Sequence, residues 1–214
     1  MIKIPFYENS KDDTHCFQAC LKSILKFYFP KKNYSFKYLD RATAHKKNKW
    51  TWNSAVFLFL EKFGFEIINI EDFDYAKFAR LGEQYLKRIW IDEVFQTQKK
   101  FSDLKNEQKL AKKLIKNKKI KLLKRPATIS DIKKLFIKNY IILVNINPFI
   151  LNNKKGYSSH IVIITDMNKS KITFHDSGLP PQKNRKAPIK LFLKAMEYPY
   201  KEDASIIALR LFFL

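Results

Sequence analysis

The chain changes its hydrophobic period part-way along, and this change constrains its fold more than any other feature. Up to about residue 138 the apolar residues recur mostly at helical spacing. After it, Ile141 to Ile146, His160 to Thr165, Lys171 to His175 and Ile206 to Phe213 are β-branched or aromatic runs of strand length. Helices first and strands later predict an α+β domain rather than alternating βαβ units. A hairpin-like connection around Asn168 and Lys169 makes the expected sheet mainly antiparallel, with the first helix packed on it.

That first helix follows Asp12-Asp13-Thr14, whose short side-chain oxygens suit an N-cap, and stops before Pro30. Phe17, Cys20, Leu21, Ile24, Leu25 and Tyr28 fall on one face of it, so it is built to be buried. A second helix, Asn53 to Phe63, ends at Gly64 and hands over to the apolar run Phe65 to Ile70. Residues 71 to 125 read as mostly helical. Thr128 or Ser130 caps a helix through Lys138, and Pro188 to Met196 supplies another. With 214 residues, 46% hydrophobic, the chain carries enough apolar surface for one folded domain over 1–214.

The formal net charge is +22, and Lys99 to Arg125 alone holds 12 basic and 2 acidic residues. Such a stretch suits polyanion contact, with nucleic acid or an anionic membrane surface. A solvated lysine face is the simpler expectation, since lysine excess with abundant Ile, Asn and Phe is what an AT-biased genome encodes. Leu104, Leu110, Leu114, Ile115 and Leu122 keep part of it amphipathic, so it can dock on the domain. No apolar run approaches the roughly 18 to 20 residues of a membrane-spanning helix. The N-terminus has neither the basic nor the apolar region of a secretory leader. Cys16 and Cys20, one helical turn apart, form neither a disulfide framework nor a zinc spacing. The expected compartment is the cytoplasm, and no metal or cofactor is called for.

Cys16 stands on the first turn of its helix, where unpaired amides and the positive end of the helix dipole stabilise a thiolate. A buried structural thiol is the plainer role for the same position, and it is the role expected of Cys20. What favours chemistry is the far half of the chain. His160 opens a strand and Asp176 closes the next one. A hairpin turning at Asn168, eight residues from each, sets them opposite one another on one face. Nucleophile, base and orienting acid then follow in the order Cys16, His160, Asp176. His175 alternates to the opposite face. His15 is expected as an exposed first-turn residue, or else as a group tuning the thiolate. Trp50 and Trp52 suit the wall of a peptide groove, with at least one of them packed inside.

These segments, Ile4-Pro-Phe-Tyr, Cys16-Phe-Gln-Ala-Cys-Leu, Gly156-Tyr-Ser-Ser-His-Ile-Val and Phe174-His-Asp-Ser-Gly-Leu-Pro-Pro, resemble the papain-like cysteine peptidases of the bacteriocin-processing, double-glycine leader type. The resemblance spans most of the chain. It implies a papain-like fold, with residues 71 to 125 as a basic helical insertion, and a Cys16-His160-Asp176 triad. It implies peptide or protein substrates cleaved through a thioester, without a cofactor. Two positions depart from the family pattern. Phe17 replaces a glycine beside the nucleophile and is expected to narrow the approach. Ser10 stands where the family has its oxyanion-stabilising glutamine, so Asn9 and Ser10 are the candidate oxyanion donors. The alternative is a catalytically silent domain of this fold, binding a peptide, nucleic acid or anionic membrane through its basic surface.

Overall fold

The computed structural model describes residues 2–11 and 13–211. The predicted N-cap at Asp12 and the strand end at Phe213 lie outside the described residues. The first helix, α1 (Cys16–Tyr28), buries Phe17, Cys20, Leu21, Ile24 and Leu25, as its spacing predicts. Its cap differs from expectation. His15 occupies the N-cap position without a side-chain cap bond, and Asp13 has φ +56. Asn9 caps instead, from upstream: its Oδ1 accepts the His15 N–H at 2.8 Å. A short helix, α2 (Phe36–Ala42), follows, capped by Ser35. Then come α3 (Asn53–Lys62), Gly64 at φ +87 and strand β1 (Phe65–Ile70).

The stretch expected to be helical holds α4 (Tyr75–Leu81), α5 (Glu83–Ile89), α6 (Asp92–Phe101) and α7 (Leu104–Leu114). It also holds a strand that the pattern did not show, β2 (Ile120–Leu123), which pairs parallel with β1. The basic segment therefore supplies a sheet edge as well as helices. Its α7 packs against α3 and α4 through Leu104, Ala111 and Leu114. Lys99, Lys119, Lys121, Lys124 and Arg125 lie against Glu83, Glu61, Glu66, Asp74 and Asp131. Part of the lysine excess is thus spent inside the molecule.

After Thr128, whose side chain forms a reciprocal box with Asp131, run α8 (Ile129–Ile137), β3 (Ile141–Ile146) and the single turn α9 (Pro148–Leu151). Then come β4 (His160–Met167), β5 (Lys171–Asp176), β6 (Gln182–Pro188), α10 (Ile189–Met196) and β7 (Ile206–Leu211). The seven strands form one mixed sheet in the order β2-β1-β7-β3-β4-β5-β6, antiparallel except for β1 with β2.

Alternation along the strands divides the core in two. Leu143, Ile161, Ile163, Ile207 and Leu209 meet α1, α3, α4 and α7 on one face. Val144, Val162, Ile164, Phe174 and Ala208 meet α8 and α10 on the other. The fold is α+β, with helices on both faces of the sheet. Burying a side chain such as Leu21 or Phe174, both 0% exposed, contributes about 1.5–3 kcal/mol. Among the described residues no helix is long and apolar enough to cross a membrane.

Candidate active site

The N-terminal arm is laced to the sheet before it reaches α1. Ile2 N donates to Thr165 O, Asn9 N donates to Ser177 O, and His175 Nε2 lies 2.9 Å from Ile4 O. His175 Nδ1 accepts the Asn184 N–H, so Nε2 carries the proton and donates to Ile4. Burial holds this imidazole below its ordinary pKa. His175 is a structural tie on the face away from Asp176, as strand alternation predicts. Its effect is to bring the start of α1 to the mouth of β4.

There the structure brings Cys16, His160 and Asp176 together. His160 Nε2 lies 2.8 Å from Asp176 Oδ1. The other ring nitrogen, Nδ1, is therefore the one that hydrogen-bonds the Cys16 sulfur. Burial by itself would push the Cys16 thiol up, but the hydrogen bond and charge of His160, with the Ile161 and Phe17 amides, outweigh it and bring the thiol below its ordinary value. His160 moves the opposite way: against the burial that disfavours its cation, Asp176 and Cys16 raise it well above an ordinary histidine. Cys20, one turn along α1, goes the other way: burial and the Cys16 and Asp176 charges outweigh the Ser177 hydrogen bond. Its Sγ donates to Ile161 O at 3.5 Å and its thiol is raised.

The hairpin register differs from the sequence expectation by two residues. The turn spans Asn168 to Lys171 and is centred beyond Asn168. Asn168 Oδ1 accepts the Ser170 and Lys171 amides, and Asn168 N donates to Lys171 O. Met167 pairs with Ile172, and after a bulge Ile163 pairs with His175. Continued along β4, this register sets His160 level with Gly178, with Asp176 on the diagonal. A two-residue shift keeps both side chains on one face, so the contact survives. A Cβ at Gly178 would stand 3.1 Å from Asp176 Oδ1 and 3.4 Å from His160 Nε2. The hydrogen atom there lets the Gly178 amide donate to Asp176 Oδ1 at 3.1 Å.

Sequence reasoning missed Arg185. It lies on β6, a polar edge strand with no apolar alternation to reveal it, and its only signal is sharing parity with the buried Ala187. Its Nη1 donates to Asp176 Oδ2 at 2.8 Å, while Nη2 donates to Leu151 O and Asn152 Oδ1. Both oxygens of a 4%-exposed carboxylate are thereby satisfied. Burial would raise Asp176, but His160, Arg185 and the Gly178 amide bring it down to about 2. The loop before His160 is fixed by Asn147, which donates to Gly156 O and accepts the Phe149 and Ser158 amides.

The remaining sequence candidates fall as follows. Phe17 is 5% exposed and turns into the core, so it does not stand over the thiol. Asn9 Nδ2 donates to Asp13 Oδ1 and its Oδ1 caps α1, while Ser10 Oγ lies 2.6 Å from His15 Nδ1. His15 is not the exposed residue expected: its side chain is 12% exposed and its Nε2 lies 3.1 Å from Asp40. The cause is α2, which the pattern did not show and which brings Asp40 to the start of α1. Trp52 packs among Phe73, Phe78 and Trp90 and donates to Ser102 Oγ, whereas Trp50 is exposed and stacks on Phe101. No family model matches the chain, and no curated protein matches it at a significant level.

Proposed function

We propose that the chain is a papain-like cysteine hydrolase that cleaves amide bonds in peptides or proteins. The observation that carries this reading is the convergence of Cys16, from the start of α1, on the His160-Asp176 pair at the ends of β4 and β5. In this reading the Cys16 sulfur attacks the carbonyl carbon, and the Cys16 backbone N–H, on the first turn of α1, donates to the oxyanion. Asn9 braces that amide by capping the residue before it. Collapse of the tetrahedral adduct breaks the C–N bond, and His160 gives its proton to the leaving amine. A water then loses a proton to His160 and attacks the thioester, which releases the acid and restores the thiol. Asp176 fixes the imidazole throughout, and Arg185 fixes Asp176.

The test is labelling with iodoacetamide at pH 6 in chelator, read residue by residue by mass spectrometry. The proposal expects Cys16 to label and Cys20 to remain untouched, with labelling suppressed in His160→Ala. Equal Cys16 labelling in both proteins would exclude it. Turnover of a peptide library, abolished by Cys16→Ser, separates a hydrolase from a silent binding domain of the same fold.

A further inference from the structure

His15 packs its ring against α2, on Phe36. Its Nε2 stands 3.1 Å from Asp40 Oδ1, and its Nδ1 stands 2.6 Å from Ser10 Oγ and 3.0 Å from Thr14 Oγ1. His45, just past α2, packs its ring 4.8 Å from the His15 ring and sets Nδ1 3.0 Å from Thr51 Oγ1. One donor atom from each of His15, Asp40 and His45 lies within 4.8 Å of the others. Asp40 Oδ1 is buried and, among the described residues, makes no hydrogen bond of acceptable geometry. The proposed hydrolysis uses none of these groups.

We propose that His15, Asp40 and His45 form a divalent-cation site that takes Zn2+. Two imidazoles and one carboxylate are a donor set suited to zinc. Each ring has its Nδ1 against a hydroxyl, the outer-shell arrangement that orients a ligating histidine, so the metal takes Nε2 of both. Thr51 Oγ1 is held in turn by the buried Gln18 Nε2 at 3.0 Å, which ties the outer shell to α1. Ligands at about 2.1 Å in a tetrahedron stand roughly 3.4 Å apart. His15 and Asp40 are already within that spacing, and His45 closes the rest. All three residues are half-buried, so water completes the coordination. The ion joins the cap of α1, the body of α2 and the turn after it, and so fixes the helix end that carries Cys16. This inference stands independently of the hydrolase reading.

The experiment strips the full-length protein with chelator and titrates it with Zn2+ by calorimetry, and with Co2+ by visible absorption. One equivalent is taken up, melting shifts upward with Zn2+, and the Co2+ spectrum lacks a thiolate charge-transfer band. Asp40→Asn and His45→Asn, the latter keeping a polar group near Thr51, each weaken binding at least about tenfold. Cys16→Ser and His160→Ala leave it unchanged. No saturable uptake by the wild-type protein, uptake unaltered in both ligand variants, or uptake lost in Cys16→Ser would overturn the proposal. The last outcome would place the metal on the thiol instead. Melting in chelator reports folding of each variant separately, and the wild-type Co2+ spectrum decides the matter if a variant fails to fold.

Discussion

Asp176 at the end of the sheet and Glu107 in the helical layer are buried alike, at 4% and 5% exposure, yet their surroundings treat them oppositely. Asp176 accepts from His160, Arg185 and the Gly178 amide and is brought down to about 2. Glu107, on α7 against α3, has an Oε2 with no hydrogen bond among the described residues. Burial pushes its carboxyl up to about 7, the nearby Asp103 charge adds to this, and Ser54 offsets it only in part. The difference teaches that depth does not set charge in this molecule; donors do. Three elements supply donors to Asp176, and a permanent anion can therefore hold His160. The helical layer supplies too few, and Glu107 is left as an acid that titrates near neutrality.

The largest expected effect tests the partnered carboxylate. Asp176→Asn removes the charge that holds the imidazole, and the proposed hydrolysis is expected to fall by about 1,000-fold or more, measured as initial rates on a cleaved peptide. A rate near wild type would break the comparison, because the donors around Asp176 would then serve only stability. Next, Arg185→Met leaves the buried Asp176 without its cation and is expected to cost about 3–5 kcal/mol in urea unfolding, with Arg185→Lys recovering part of it.

Glu107 supplies the opposite sign. Its folded value lies above its unfolded one, so the folded state binds the extra proton. The Glu107 contribution to stability is full below about 4.5, falls as pH rises toward about 7 and is level beyond, a drop of up to about 3 kcal/mol. For Asp176, with its folded value depressed, stability is present above the usual carboxylate range and is lost as pH falls toward about 2. Chemical denaturation at pH 5 and pH 8 checks the Glu107 contribution: Glu107→Gln should flatten the wild-type slope, and an unchanged slope would sink the assignment.

The smallest effect concerns a carboxylate with donors but less cover. Asp131 is also near 2, held by Arg125 and by the Thr128 hydroxyl and amide against modest burial. Thr128→Ala removes the cap of α8 and is expected to cost about 1 kcal/mol by the same denaturation measurement.

Much of the fold was legible because a buried face writes a period into the chain. The amphipathic spacing of α1, α3, α8 and α10 and the β-branched runs of β1, β3, β4, β5 and β7 could be read directly. What stayed hidden has little apolar content to repeat. The helix α2 buries one residue, Leu39, and β6 buries only Ala187, as suits a sheet edge. The strand β2 has only four residues, in the midst of lysines. The hidden elements carry Asp40 and Arg185, so the His15-Asp40-His45 cluster and the outer partner of Asp176 were hidden with them. The two-residue register error came from the turn, where Asn168 begins the loop rather than centring it.

By itself the sequence determined which segments become helices and strands wherever a face is buried. It also set Cys16 at a helix start and gave His160 and Asp176 one strand parity, because these properties depend on neighbours a few residues away. Tertiary structure alone decided the partners: which nitrogen of His160 meets sulfur, that Arg185 completes Asp176, and that Asp40 and His45 meet His15. The physical reason is that hydrogen bonds and charges act across a few ångströms of space. The groups that supply them here come from separate elements whose meeting no local pattern encodes.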